Sequence, residues 1–217
     1  MRWNVTEMVE AVAAGLQQQA RADDEEQAVY SIDVLDEMAL HPLIQRGLRE
    51  VGYGVWPEQR FPSQRAKSGR KRKSEGKRCD IVLTHEHPQT LVDPDAEATL
   101  FGDPEALPLE AAYWLELKTV AQFTTEGPFP RYSAELLSPV SQDIRKLAQD
   151  PLIFHAGLML ILFTADELVA KHDLRAWETR CLARGYPVAP PIVRDFKLRD
   201  RLGNAMCSVA LFPVRRL

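Results

Sequence analysis

Apolar residues recur along the chain at two different intervals, and the intervals predict the elements. From about residue 24 to 51, Val29, Ile32, Leu35 and Met38, then Leu40, Leu43, Ile44 and Leu48, fall at three- and four-residue steps. That spacing gathers one face of a helix. Pro42 has no amide hydrogen to give, so the segment is expected as two helices or one kinked helix. The glycines of "VGYG" (51–54) end it. "VWPEQRFP" (55–62) alternates as a short strand whose prolines suit an edge. "RCDIVLTH" (78–85) is a β-branched strand with a single acid, Asp80, near its start.

Residues 86–110 carry several prolines and acids and read as a long excursion, which ends at a strand in "AAYWLELKTVAQF" (111–123). "SAELLSPVSQDIRKLAQD" (133–150) is helical, with Leu136, Leu137, Val140, Ile144 and Leu147 on one face. "GLMLILFTA" (157–165) is a continuous apolar run, as in a central strand covered on both faces. A helix follows over 165–185, stopped by Gly185, and "PIVRDFKL" (191–198) and "CSVALFPV" (207–214) close the chain as strands. The order is helix, three strands, helix, strand, helix, strand, strand. It predicts an α/β fold with a central mixed sheet flanked by helices, and residues 1–217 as a single domain.

Composition narrows the class. Of 217 residues, 45% are hydrophobic and 27% charged, an ordinary globular balance. No apolar run approaches the roughly 18–20 residues that span a bilayer, and the opening residues lack the pattern of a signal peptide, so no membrane association and a cytoplasmic location are expected. Cys79, Cys181 and Cys207 form no CxxC pair and make neither a zinc ribbon nor an iron–sulfur cluster by themselves. No phosphate-loop, dinucleotide or nucleophile-elbow motif is present. His85 and His87 stand two apart at a strand end, with no third ligand at useful spacing.

The net charge of −4 hides an uneven distribution. "QRAKSGRKRKSEGKR" (64–78) has no apolar period and reads as a mobile loop carrying Arg65, Lys67, Arg70, Lys71, Arg72, Lys73, Lys77 and Arg78. A cationic segment running directly into Asp80 is placed to hold a phosphate backbone without reading sequence.

The strand at 111–123 raises the chemical question. Successive side chains of a strand point to opposite faces, so Leu115 and Leu117 go one way while Trp114, Glu116 and Lys118 go the other. An acid and a base thus share a face of an apolar strand, and if the neighbouring strand pairs with it, a shift of register brings Asp80 beside Glu116. Two carboxylates held together repel unless a cation lies between them, and oxygen ligands suit Mg²⁺ or Mn²⁺. A lysine there orients water and stabilises charge on a phosphate. The alternative is that Glu-x-Lys marks only the wet face of a half-exposed sheet.

"RCDIVL", "WLELK" and the helix–strand–strand–strand–helix–strand order around them resemble the PD-(D/E)XK nuclease superfamily, the restriction-endonuclease-like fold, over about residues 30–165. Two features depart from it: the long interval between Asp80 and Glu116, and Cys79 in place of the proline. The resemblance implies a metal-dependent nuclease acting on DNA, with Asp80 and Glu116 as ligands of Mg²⁺ or Mn²⁺ and Lys118 as the catalytic lysine. It further implies an acid from the first helix. Glu37 is the first choice for both metal and catalytic roles, Asp33 and Asp36 also qualify, and Glu58 of the first strand is another source. A polar residue of the helix after the lysine strand is also implied. Gln142, Asp143 and Lys146 are available, with Gln142 and Lys146 sharing a face and Asp143 and Lys146 readable as a surface pair. Restriction, phage defence or repair follow as associated roles. A homodimer or a partner protein would supply double-strand cutting or specificity. The competing reading is a catalytically inactive nucleic-acid-binding or scaffold subunit with the same fold.

Overall fold

In the computed structural model, which describes residues 3–65, 78–92, 103, 105–137 and 140–216, the first element is a helix that the apolar spacing does not announce. Helix α1 (Val5–Glu25) begins at Asn4, whose side chain accepts from the Glu7 amide at 3.2 Å. Its buried stripe mixes Met8, Val9, Val12 and Leu16 with Ala11, Ala13, Gly15 and Ala20. Small residues give weak hydropathy contrast, so the stripe is hard to see in sequence. The break in the next segment also moves. Residues 26–36 are a loop holding a 3₁₀ turn (Ile32–Val34), and helix α2 (Glu37–Glu50) runs unbroken through Pro42. Pro42 is exposed, and so is Met38, whose carbonyl loses its partner there; water can satisfy that group, and the helix continues.

A six-stranded sheet follows. Strands β1 (Gly54–Arg60), β2 (Arg78–Thr84) and β3 (Tyr113–Ala121) are antiparallel neighbours. The short hairpin of β4 (Phe123–Thr124) and β5 (Gly127–Pro128) stands apart. Strand β6 (His155–Thr164) runs parallel to β3, and β7 (Ile192–Lys197) and β8 (Met206–Val214) complete the order β1-β2-β3-β6-β8-β7. The sheet is mixed and mainly antiparallel. The remaining helices are α3 (Pro62–Arg65), α4 (Tyr132–Leu137), α5 (Val140–Gln149) and α6 (Glu167–Ala183). The single helix expected over 133–150 is thus two helices, and the basic run is bounded by regular structure: Arg65 closes α3 and Arg78 opens β2.

Strand β6 shows why the sheet is covered on both faces. Met159, Ile161 and Phe163 join Leu115 and Leu117 in a core with α1 and α2, whereas Leu158, Leu160 and Leu162 join Trp114 in a second core with α5 and α6. Apolar residues at every position are what a central strand between two helical layers requires. No helix among the described residues is long and apolar enough to cross a membrane.

Helices α1 and α2 cross closely because Gly47 has no side chain: a Cβ built there would lie 2.5 Å from the Ala11 carbonyl oxygen. Gly47→Val is therefore expected to lower stability by roughly 1–3 kcal/mol, the usual cost of overpacking a core. Urea unfolding against wild type checks this, and an unchanged midpoint would mean that the helices separate freely.

Candidate functional site

The site lies where the β2–β3 ladder stops. The last paired residues are Ile81 and Leu115, and the same register puts Asp80 opposite Glu116 with no shift. Strand β3 runs on to Ala121, held on its other side by β6. Its amides on the open side are taken by side chains. Asp80 Oδ2 accepts from the Leu117 N–H at 2.7 Å, and Glu37 Oε2 accepts from the Thr119 N–H at 3.3 Å. Two of the predicted acids thus satisfy backbone donors that a neighbouring strand would otherwise have met.

Strand β1 is distorted at the same level. Pro57 pairs with Ile81 and Gln59 with Cys79, but Glu58, facing Asp80, is left out of the ladder and has φ of 54°. That left-handed conformation is costly for a residue with a Cβ. Cys79 packs in the same core as Val82 and Trp114, against strict alternation, so the chain of β2 turns over at Asp80. The turn aims the Asp80 carboxylate into the fork.

Glu116 is 3% exposed, and its Oε1 is the one carboxylate oxygen among the described buried side-chain atoms that has no partner. Burial first, then the charges of Asp80 and Asp143, push its carboxyl far above the ordinary carboxylate range, and it lies within hydrogen-bonding reach of Asp80. Leaving such an oxygen unsatisfied costs about 1–3 kcal/mol. A shared proton or a cation would relieve the pair.

Two ion pairs flank it. Lys118 Nζ lies 3.6 Å from Glu37 Oε2, the side chains being 20% and 34% exposed. Burial raises the Glu37 carboxyl, and Lys118 and the Thr119 amide pull it back. On the other side, Lys146 Nζ donates to Asp143 Oδ1 at 2.5 Å, both groups half-buried on α5. Burial opposes the Lys146 ammonium, but Asp143, Glu116 and Asp80 outweigh it and strengthen its hold on its proton.

The predicted residues divide accordingly. Asp80, Glu116, Lys118 and Glu37 come together, with Glu37 engaged by Lys118 and the Thr119 amide rather than aligned beside the carboxylate pair. Gln142 is exposed, and Asp143 and Lys146 are the polar residues of α5 whose charges act on Glu116; the helix phase set by buried Ile144 and Leu147 turns them inward. They are a pair at i, i+3, as the spacing allows, but not on the open surface. Asp33 is buried and accepts from Asn204, Asp36 caps α2 through the Ala39 amide, and Glu58 is exposed. Arg78 is exposed and donates to the Glu58 carbonyl. Lys67, Arg70, Lys71, Arg72, Lys73 and Lys77 lie outside the described residues, and of Arg65 only the backbone is described. His85 stacks on Trp3, their rings 4.0 Å apart.

The fit to a divalent cation rests on the donor set. A buried carboxylate oxygen without a partner beside a second carboxylate is the hard-oxygen environment that Mg²⁺ or Mn²⁺ takes. Among the described residues no three His, Cys, Asp or Glu side chains form a ready ligand group. Two carboxylates completed by water and substrate phosphate are a common arrangement for Mg²⁺. Comparison of the chain with protein-family models, with curated proteins and with solved structures found no match.

A carboxyl raised by burial has a definite effect on stability. Below the ordinary carboxylate value of 4.5 Glu116 is protonated in both states and costs nothing; above it the unfolded chain ionises while the native group resists, so stability falls as pH rises toward the folded value. Glu116→Gln removes that loss. In metal-free buffer the variant should melt higher than wild type, by an amount that grows from pH 5 to pH 8 and reaches on the order of 1 kcal/mol or more. Scanning calorimetry at the two pH values decides it, and a constant or inverted difference counts against a strained Glu116.

Proposed function

We propose that the chain is a metal-dependent nuclease that hydrolyses DNA phosphodiester bonds, of the PD-(D/E)XK type. The observation that carries this reading is the register: Asp80 and Glu116 fall opposite each other where the ladder opens, and Lys118 follows on the same strand. The element order α2-β1-β2-β3-α5-β6, with β6 parallel to β3, supports a restriction-endonuclease-like core.

Electrostatics supplies the reason for a metal. A polyanion will not approach two carboxylates unless their charge is met, and Asp80 and Glu116 would hold the ion that meets it. Bound there, the ion supplies Lewis-acid polarisation of a phosphoryl oxygen. Lys118 keeps its ammonium at the edge of the fork through Glu37, where it orients water and offers positive charge to the scissile phosphate. Asp80 also pins Leu117, which fixes the strand that carries both Glu116 and Lys118. The basic run at 64–78 would hold the flanking backbone, a contact that falls as salt rises.

The test is cleavage of linear, circular and single-stranded DNA with Mg²⁺, with Mn²⁺ and with EDTA. Glu116→Ala and Lys118→Ala should each lose at least about a hundredfold in rate, the scale of removing one charge-stabilising group, while remaining folded by circular dichroism. Cutting of the circular substrate identifies endonuclease action. Cleavage at wild-type rate by both variants would remove the assignment. No cutting together with no metal uptake would leave a scaffold or binding subunit of the same fold, acting with a partner protein or as a homodimer.

A further inference from the structure

Helix α5 brings both a cation and an anion to the carboxylate pair. Ile144 and Leu147 are buried in the same core as Trp114, which shares the Glu116 face of β3, so α5 packs on that face and carries the half-buried Asp143–Lys146 pair there. Lys146 is bonded to Asp143 at 2.5 Å, and its positive charge acts on both Glu116 and Asp80. Lys118 is differently placed, spent on Glu37. The charges acting on Glu116 are those of Asp80, Asp143 and Lys146, so together with Glu116 the group has three carboxylates and one ammonium. When all are ionised two negative charges remain, which one divalent cation closes. The Oε1 of Glu116 has no partner, and Asp143 adds charge to the Asp80–Glu116 pair rather than a third ligand.

We infer that Lys146, tethered by Asp143, is the resident counter-cation of the Asp80–Glu116 pair, and that an incoming divalent ion must compete with it. This rests on the metal-dependent reading above and deepens it: α5 sets how tightly the site takes its metal. Lys146 partly meets the negative charge while the metal is absent and lowers the field that attracts it. Asp143 draws Lys146 toward itself and adds negative charge of its own. Lys146 is a positioning residue in this scheme, acting through the carboxylates.

The two members of one ion pair should then act in opposite directions. Mn²⁺ is titrated calorimetrically into the full chain, stripped of metal, as wild type, K146M, K146Q and D143N, each first shown to unfold cooperatively on heating. K146M and K146Q should bind Mn²⁺ about tenfold more tightly than wild type, and D143N more weakly by a similar factor. A merely structural pair would weaken binding whichever partner is removed. Lysine variants that bind no tighter than a wild type that does bind Mn²⁺ overturn the competition while leaving the metal reading intact. If neither wild type nor the lysine variants bind Mn²⁺, the metal reading itself falls, and the competition with it.

Discussion

The site depends on an unfinished ladder. Strand β3 is longer than its antiparallel partner can cover: β2 pairs it only as far as Leu115, while β6 pairs it to Ala121. The amides of Leu117 and Thr119 then face a gap on the β2 side. Backbone donors facing protein cannot be left bare, and the carboxylates of Asp80 and Glu37 meet them. The chemistry of the fork and the completion of the sheet are thus one requirement. The acid at Asp80 meets the Leu117 amide where the β2–β3 ladder stops and, by the same placement, falls opposite Glu116.

The arrangement carries a cost that the rest of the fold offsets. Glu116 is buried with one oxygen unsatisfied, and Glu58 sits in a left-handed conformation opposite Asp80. Both are local defects of the kind that persist only when the surroundings over-determine them. The surroundings here are rigid. Strand β6 is buried along nearly its whole length between β3 and β8, and each of its faces feeds a separate core. Those two cores supply the stability against which a strained carboxylate can be held. A site built on a mobile loop would relax by moving Glu116 out to water.

Much of this was legible in the sequence, and the exceptions have physical causes. Alternation placed Leu115 and Leu117 opposite Trp114 and Glu116, and the unbroken run of β6 marked the sheet centre, because each is a strong pattern with a single geometric meaning. Helix α1 was missed because alanine and glycine provide much of its buried stripe; they pack through small size, and hydropathy contrast does not register that. Pro42 was overread, since a lost helical bond costs little where its carbonyl faces water. Within the site, strand alternation and pairing put Asp80 and Glu116 together and Lys118 on the same strand. The family resemblance offered Glu37 and, from α5, Gln142, Asp143 and Lys146, and the structure leaves Gln142 exposed. The sequence of α5 contains all three at the right level, and only its phase against the sheet, fixed by Ile144 and Leu147, selects which of them turn inward.

That selection changes the character of the site. A Glu-x-Lys strand alone would make a symmetric pair in which Lys118 neutralises Glu116. In the folded chain Lys118 is turned to Glu37, one layer away, and Glu116 is answered from the opposite layer by Lys146. The sheet therefore separates the two lysines by role as well as by position. Lys118 stays at the mouth of the fork, 20% exposed and balanced by its own acid. Lys146 is bound to Asp143, and its charge acts on Glu116 and Asp80. On the proposed reading the strand residue would act on substrate while the helix residue would tune the metal, and that division needs helices on both sides of the sheet.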